Sequence, residues 1–382
     1  MLNMSALPET KVLAIASHVS YGYVGNTMAT FVMQSLGAEV SAINTVCYSN
    51  HTAYKQVKGR KVPAEEILDL YEGLKQSFLT DFNVLLSGYV PSAEAVEAVG
   101  KIARDLKHES NRKPGSFFWV LDPVMGDNGK LYIPESEVPA YKSLLRYADL
   151  ILPNQFEAEL LSEVKITNLS TLATAIKALH TRYNTPHIII TSLRLSKVSG
   201  RTLPGTTAGN TTHAEEEDDD DVLSVIGSSS TSKGEPRLWR IDIPAYPVFF
   251  SGTGDMFAAL MVVRLREAAA AAGLLNTSSW RSPDDVPATE TPLAKAATKV
   301  LASMQSILGK TYQYYKTEVS EINTRCERAG KCECEDATKA EEMRMHLKKT
   351  KAAEVRVVRN AKDLIEPSDL DKYAAKAVEV EF

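Results

Sequence analysis

The sequence predicts an α/β fold in which a mostly parallel central sheet lies between two layers of helices, a three-layer α/β/α sandwich. Three observations support this prediction. Strand-like and helix-like segments alternate over roughly the first 190 residues, polar clusters directly follow the strand-like segments, and a glycine-rich turn at 252–254 leads into another helix-like segment. Such alternation is typical of parallel sheets, because each connection between parallel strands has to cross the sheet.

The predicted elements follow one another in a regular order. Short apolar segments predict strands at 11–17, 40–46, 84–87, 117–121, 150–152 and 187–191. Apolar residues at helical spacing predict helices at 28–36, 65–77, 92–107, 138–147, around 158–161 and at 172–183. With 382 residues, of which 44% are hydrophobic and 24% charged, the chain is long enough for one large domain, and we predict a single domain over 1–382.

Polar side chains follow each of the six predicted strands. They are Ser17-His18, Ser49-Asn50-His51-Thr52, Gly88-Tyr89, the segment 122–127 with Asp122 and Asp127, the segment 153–157 with Asn154 and Glu157, and Thr191-Ser192. The carboxyl ends of parallel strands share one edge of a sheet, and ligands bind outside that edge. The sequence therefore predicts a ligand site built from these six clusters.

The segment Gly252-Thr253-Gly254-Asp255 carries the most informative chemistry. Its glycines permit a tight turn, and the apolar residues that follow predict a helix whose first amides would be free to bind an anion. Asp255 would then be placed to take a proton from a hydroxyl group that attacks a phosphate, as a small-molecule kinase requires. The alternative interpretation is an ordinary turn with Asp255 as the helix cap.

Two segments depart from the regular pattern. Residues 197–237 are rich in Ser, Thr and Gly and include seven consecutive carboxylates at 215–221, so we predict a disordered surface insertion whose removal between 199 and 235 is tolerated. An acidic metal-binding patch is the less favoured alternative. Residues 316–351 form a charged, variable segment in which Cys326, Cys332 and Cys334 lack the paired spacing of a zinc site, so free exposed thiols are expected.

Composition narrows the class of protein. A net charge of -5 without a basic stripe argues against nucleic-acid binding, and no apolar segment approaches the roughly 20 residues that cross a bilayer. Four cysteines do not form a disulfide framework, which favours a reducing, cytoplasmic location and leaves nuclear entry open. Neither a P-loop nor a dinucleotide-binding glycine motif occurs.

The motifs taken together, in order and spacing, resemble the pyridoxal kinases of the ribokinase-like superfamily. The resemblance covers roughly 11–195 and 238–310, with a weaker match at 355–366. The residues that carry it are Ser17-His18-Val19, the segment 22–26, the segments 49–52, 122–127 and 153–159, Ile190-Thr191-Ser192, and Gly252-Thr253-Gly254-Asp255.

The resemblance implies transfer of the γ-phosphoryl group of ATP to the 5'-hydroxymethyl group of pyridoxal, pyridoxine or pyridoxamine. In this family Asp255 would be the catalytic base, and Gly252, Thr253 and Gly254 would form the anion hole. The residues that match the contacts to the B6 ring are Ser17, Val24, Tyr48, Thr52 and Tyr89.

The resemblance also implies the nucleotide and metal contacts. ATP would be bound by Asp127, Tyr132, Asn154, Thr191 and Ser192 together with Gly252 and Thr253. Asp122 and Glu157 would hold Mg²⁺, although the sequence does not decide between Mg²⁺ and Zn²⁺, and K⁺ would assist nearby as a monovalent activator. Leu152 stands where related kinases commonly have Thr, so one phosphate or cation contact is in doubt. The family resemblance further implies a homodimer.

Two alternatives stay open at this point. A hydroxymethylpyrimidine kinase would use the same fold, although Asp255 and the segment Ser49-Asn50-His51-Thr52 favour the B6 substrate. A non-catalytic B6-binding protein would need neither Asp255 nor the metal carboxylates.

Overall fold

A computed structural model describes residues 7–110, 113–194, 222–329, 335–378 and 380. The strands are β1 (Lys11–Val19), β2 (Glu39–Tyr48), β3 (Gly59–Lys61), β4 (Val84–Ser87), β5 (Phe118–Leu121), β6 (Gly126–Asp127), β7 (Lys130–Leu131), β8 (Leu150–Ile151), β9 (His187–Leu193), β10 (Val222–Ser230), β11 (Pro236–Pro244) and β12 (Lys376–Ala377). The α-helices are α1 (Gly25–Ser35), α2 (Ala64–Gln76), α3 (Ala93–Ser110), α4 (Val138–Leu144), α5 (Gln155–Ser162), α6 (Leu169–Tyr183), α7 (Thr253–Ala271), α8 (Pro292–Ala329), α9 (Glu335–Ala352) and α10 (Ala361–Ile365).

The main sheet has ten strands in the order β12-β11-β10-β9-β8-β5-β4-β1-β2-β3. Its centre, from β2 through β1, β4, β5 and β8 to β9, is parallel. The strands β10, β11 and β12 continue one edge in antiparallel pairs, and β3 does the same at the other edge. The predicted mostly parallel sheet is therefore confirmed, and all six predicted strands lie in it.

Helices cover both faces of the sheet, and each face has its own apolar core. Because successive strand residues point to opposite faces, Val12 and Ala14 of β1 pack with α1, α7 and α8, while Leu13 and Ile15 pack with α2 to α6. The predicted three-layer sandwich is confirmed.

The prediction of a disordered insertion is wrong for residues 222–237, which form β10 and the start of β11. The serines of β10 suggested a loop, but they are buried and hydrogen-bonded: Ser228 Oγ lies 2.8 Å from His180 Nε2. Ser229 Oγ likewise lies 2.9 Å from His187 Nδ1. Removing 199–235 would delete β10 from the sheet, so that deletion is not expected to be tolerated. The rest of the predicted insertion, including the acidic run at 215–221, lies outside the described residues.

The charged segment 316–351 belongs mainly to two helices, the end of α8 and nearly all of α9. The side chains of Cys326, Cys332 and Cys334 lie outside the described part of the chain, so the prediction of exposed thiols stays a prediction. Within the described residues, no helix combines the length and apolar character needed to cross a membrane.

Candidate active site

The strand order creates a crevice at the carboxyl end of β1. The chain proceeds from β1 to β2 on one side, and β4 then pairs with the other side of β1, so the direction of the crossovers reverses there. A cavity of about 430 Å³ opens at this edge of the sheet. Of the predicted site residues, it is lined by Ser17, Tyr89, Asp122, Asp127, Tyr132, Asn154, Glu157, Thr191, Ser192, Gly252, Thr253, Gly254 and Asp255.

Three residues predicted to contact the B6 ring do not line this cavity. Thr52 is exposed at the start of a single 3₁₀ turn. Tyr48 ends β2 and is partly buried. Val24 lies beside the glycine turn. A Cβ built on Gly252 would be 3.2 Å from Val24 Cγ1. Their roles as substrate contacts stay predictions.

The glycine turn forms the entry to α7. Gly252 is the N-cap residue, with φ 84° and ψ 7°, a left-handed conformation that favours glycine. A Cβ at this position would lie only 2.1 Å from the carbonyl oxygen of Tyr23. Because the cap has no side chain, the first amides of α7, from Thr253 onward, have no side-chain cap and face the cavity as an anion-binding turn.

Asp255 lies in the first turn of α7 and is not the helix cap, because Gly252 holds that position. Burial raises the pKa of the Asp255 carboxyl, and a hydrogen bond from the amide of Gly25 partly offsets the increase. Gly88, after β4, lies close by, since a Cβ on it would be 4.0 Å from Asp255 Oδ1. A partly buried carboxyl with a raised pKa at the edge of an anion-binding turn suits a proton acceptor.

Asp122 follows β5 and is only 8% exposed. Burial, and then the negative charges of Glu157 and Asp255, raise the pKa of Asp122 well above its ordinary value. A Cβ on Gly254 would lie 3.8 Å from Asp122 Oδ2, which places this carboxyl directly beside the anion-binding turn.

Glu157 has a clear positioning role. Its Oε1 accepts hydrogen bonds from the amides of Met125 (2.8 Å) and Gly126 (3.3 Å), and its Oε2 accepts one from the amide of Asn154 (2.9 Å). Asn154 in turn caps α5 by accepting from the Glu157 amide at 3.0 Å, which completes a capping box. Burial raises the pKa of Glu157 to about 7, against the opposing effect of these three amides.

The negative charge of the cavity favours the binding of a cation. Among the described residues that line it, four carry carboxyl groups and none is Lys, Arg or His. A triphosphate brought into this cavity would be repelled unless a metal ion accompanied it. The described residues include no group of three or more His, Cys, Asp or Glu side chains arranged to hold a metal. The carboxyl groups that line the cavity are donors of the kind that Mg²⁺ takes, since it binds one or two carboxylates and completes its shell with phosphate oxygens and water.

The far end of the cavity is an apolar wall that the sequence did not reveal. It is formed by Leu223, Ile243, Pro244, Tyr246, Val248, Phe249, Phe250, Phe257, Leu301, Met304 and Leu308. Three of these lie on one face of α8 at helical spacing, a pattern that any buried helix shows. A flat apolar base fits such a wall.

The remaining predicted nucleotide residues also line the cavity. Tyr132 follows the small hairpin of β6 and β7 and is 58% exposed, and its amide donates to the Met125 carbonyl oxygen at 2.8 Å. The amide of Thr191 donates to Pro153 at 3.0 Å, which ties β9 to the segment before α5. Leu152 is buried and lines the cavity, so the hydroxyl that related kinases commonly carry there is absent from the wall.

Comparison with known proteins identifies the family. A family model described as phosphomethylpyrimidine kinase matches residues 28–221. A putative pyridoxal kinase of Schizosaccharomyces pombe is 37% identical over 305 residues, covering 79% of this chain and 85% of that protein. Human pyridoxal kinase is 32% identical over 324 residues, covering 82% of this chain and 89% of that protein. The chain belongs to the pyridoxal kinase family.

Solved structures of pyridoxal kinases agree with this assignment. The Leishmania donovani pyridoxal kinase in complex with ADP and pyridoxamine has a TM-score of 0.67 and 28% identity, covering 98% of this chain and 100% of that chain. Its complex with ADP and pyridoxine also has a TM-score of 0.67. The predicted ribokinase-like fold is confirmed, as is the predicted class of enzyme, a kinase of B6 vitamers.

Proposed function

We propose that this pyridoxal kinase family member transfers the γ-phosphoryl group of ATP to the 5'-hydroxymethyl group of pyridoxal, pyridoxine and pyridoxamine. The observation that carries this proposal is the partly buried Asp255 beside the anion-binding turn, in the same cavity as Ser17 and Tyr89. A proton acceptor, an anion seat and a polar-aromatic substrate end are the three parts that phosphoryl transfer to an alcohol needs.

The cavity orients the two substrates toward each other. The adenine ring occupies the apolar wall near Tyr246 and α8, and the triphosphate extends toward Gly252 and Thr253. The B6 ring occupies the other end, near Ser17 and Tyr89, where an aromatic face and a hydroxyl suit a flat heteroaromatic ring. The acceptor hydroxyl and the γ-phosphoryl group then meet at the first turn of α7.

Asp255 accepts the proton of the attacking hydroxyl. An alcohol is a very weak acid, so the carboxylate orients the hydroxyl and takes its proton late, as the bond to phosphorus forms. The amides of the Gly252 turn stabilise the charge on the transferred phosphoryl group. Burial, which raises the pKa of Asp255, makes it a stronger acceptor.

Asp122 is our choice of direct ligand for Mg²⁺, and Glu157 holds the surrounding backbone in place. Asp122 is buried beside the anion-binding turn, and burial and then the neighbouring carboxyls raise its pKa, whereas the oxygens of Glu157 are engaged by three amides. When bound, the cation would neutralise the triphosphate and the carboxyl groups. Zn²⁺ as a substitute and K⁺ as an activator are further proposals from the family resemblance.

A second candidate reaction is phosphorylation of a hydroxymethylpyrimidine, because the matching family model carries that description. A coupled ATP assay with pyridoxal and with hydroxymethylpyrimidine separates the two, and we expect turnover of pyridoxal. Preferential turnover of the pyrimidine would reject the B6 assignment.

The test of the mechanism is Asp255→Asn, compared with Asp69→Asn on the exposed face of α2. Asparagine keeps the size of the side chain but cannot accept the proton, so kcat should fall about 10² to 10⁴-fold. Calorimetric affinities for pyridoxal and for ATP should change by no more than about tenfold, since the side chain acts on the reaction and not on binding. A mutant that turns over within about threefold of wild type would remove Asp255 from the mechanism.

A homodimer and a cytoplasmic location are proposed from the family resemblance and the composition. Light scattering after gel filtration tests the first, and microscopy of the tagged chain at native expression tests the second. A monomer at micromolar concentration, or a chain confined to a membrane-bounded compartment, would contradict them.

A further inference from the structure

A second and larger cavity, of about 1000 Å³, lies on the other side of the segment that follows β1. We call it the basic cleft. It is lined by Ser20, Tyr21, Gly22, Tyr23, Thr27, Tyr314, Glu318, Ile322, Lys348, Lys351, Ala352, Glu354, Val355, Arg356, Val358 and Arg359. The walls therefore come from the segment after β1, from the first turn of α1, from α8, from the end of α9 and from the residues after it.

The cations of the basic cleft outnumber its acids. Lys348, Lys351, Arg356 and Arg359 line it, in a chain whose net charge is -5. Among the described residues, no ion pair involves Lys348, Lys351 or Arg359. These positive charges are therefore available to an anion.

The acids of the cleft, by contrast, are already engaged. Glu354 Oε1 accepts hydrogen bonds from His51 Nε2 and from the Tyr54 hydroxyl, both at 2.8 Å. Glu318 accepts from the hydroxyl of Tyr314, an interaction that raises the pKa of that tyrosine. They neutralise part of the positive charge, but in the described part of the chain neither acid forms an ion pair with Lys348, Lys351 or Arg359.

Aromatic rings complete the walls. Tyr21 is 49% exposed, and Tyr23 and Tyr314 line the same space. The guanidinium carbon of Arg356 lies 3.7 Å from the centre of the Tyr314 ring, a stacked arrangement that holds the cation in place. Flat surfaces beside these cations suit a ligand that carries both an aromatic ring and a phosphate group.

We infer that the basic cleft binds a phosphomonoester carried on an aromatic ring. The choice of pyridoxal 5'-phosphate as the specific ligand rests on the proposed function, since it is the product of that reaction. No residue of the cleft belongs to the set that lines the active-site cavity. The cleft is therefore a separate site.

The segment after β1 joins the cleft to the active site. Gly22 packs against Glu354, whose carboxylate oxygens would lie 2.9 Å from a Cβ at that position. The next residue, Tyr23, lines the cleft, and its carbonyl oxygen packs directly against Gly252. Gly25 then donates its amide to Asp255. A ligand that shifts this segment changes the anion-binding turn, so occupancy of the cleft should alter turnover without competing for the substrate end.

The test is calorimetric titration of the full chain with pyridoxal 5'-phosphate while the active site is saturated with pyridoxine and a non-hydrolysable ATP analogue. We expect one further molecule to bind per chain. The double variant Lys351→Ala/Arg359→Ala should weaken this binding at least about tenfold, because two contacts to the phosphate are lost. The control Lys113→Ala/Lys339→Ala removes the same charge from exposed positions outside the cleft and should bind as wild type does.

Two further titrations identify whether the cleft recognises the ring, the phosphate group or both. Pyridoxal should not bind under these conditions, and inorganic phosphate should bind more weakly than pyridoxal 5'-phosphate. Equal binding of inorganic phosphate would reject recognition of the ring. Absence of any binding once the active site is filled, or equal affinity in the Lys351→Ala/Arg359→Ala variant, would overturn the proposal. These titrations need no catalysis, so a chain that fails to phosphorylate pyridoxal could still pass them, and the two proposals fail separately.

A kinetic experiment tests the link to the active site. Pyridoxal 5'-phosphate should lower kcat of the wild type at saturating pyridoxal, and this effect should disappear in the Lys351→Ala/Arg359→Ala variant. Inhibition that saturating pyridoxal removes completely in both proteins would show that the product acts only in the active site.

Discussion

Replacing Gly252 with alanine tests whether the exact position of the anion-binding turn supports catalysis. Two costs follow from the structure. The left-handed conformation at φ 84° costs an alanine about 1–2 kcal/mol. In addition, the new Cβ would lie 2.1 Å from the Tyr23 carbonyl oxygen, about 1.3 Å short of the 3.4 Å at which ordinary contact begins. Because the neighbouring atom belongs to the backbone, the turn itself has to move by about that distance.

Gly273, just past the other end of α7, provides the matched control. Its φ is 71°, and a Cβ there would meet nothing within 4 Å. Gly273→Ala therefore carries the conformational cost of roughly 1–2 kcal/mol without the displacement. Comparing the two variants separates loss of stability from loss of geometry.

The expected result is a split between the two assays. Denaturant unfolding should show both variants destabilised, Gly252→Ala the more so. In the coupled ATP assay, kcat should fall about 10²-fold or more for Gly252→Ala, the usual effect of a misplacement near 1 Å, and stay within about twofold of wild type for Gly273→Ala. Equal activity of the two variants would refute the argument that the backbone of this turn positions the phosphoryl group.

Three other predictions concern the carboxyls and the sheet. Burial raises the pKa of Glu157 from 4.5 to about 7, so between these pH values the folded protein without ligands binds more protons than the unfolded chain. Its unfolding free energy should therefore fall as pH rises from about 4.5 to 7. Glu157→Gln should reduce that slope, and an unchanged slope in urea titrations would contradict the assignment. Asp122→Asn should raise the Mg²⁺ and ATP concentrations that give half-maximal rate, while the pyridoxal affinity measured by calorimetry stays near that of wild type. A large loss of pyridoxal affinity without a change in the ATP dependence would reverse our assignment of the subsites. Gly227→Ala should destabilise by about 1–3 kcal/mol or more, because its Cβ would lie 1.9 Å from the Trp239 ring. Gly73→Ala, at an exposed position in the last turn of α2, should instead stabilise by about 0.4–1 kcal/mol in thermal unfolding, and equal effects would contradict the packing argument.

The sequence predicts which polar residues come together in one cavity, for a physical reason. In a parallel sheet the carboxyl ends of the strands meet at one edge, so Ser17, Asp122 and Thr191 come together even though they are far apart in the chain. The capping box of α5 is also visible in the sequence as Asn154-Gln155-Phe156-Glu157. That motif indicates the positioning role of Glu157, which the resemblance alone assigned to metal binding.

The apolar half could not be predicted in the same way. Leu301, Met304 and Leu308 follow the spacing of any buried helix face, so nothing in the sequence separates a ligand wall from a core. The error at β10 has a related origin. Its buried serines obtain their hydrogen bonds from His180 and His187, which are distant in sequence, and local composition does not record such partners.

The start of α7 has two proposed chemical roles, anion binding by its amides and proton acceptance by Asp255. The two roles would compete if both depended on the same amides. A carboxylate in the first turn of a helix is attracted to the free amides there, and a polar N-cap side chain would occupy them directly. Here the cap is Gly252, which has no side chain, and Asp255 receives its hydrogen bond from Gly25 on a different segment. The amides of the turn are therefore left for an anion such as the phosphoryl group, while the carboxylate is held by an amide from another segment of the chain. Glycine at 252 is required both by its conformation and by the absence of a cap side chain, so a serine there would strain the turn and also bring a hydroxyl group to amides that the anion needs.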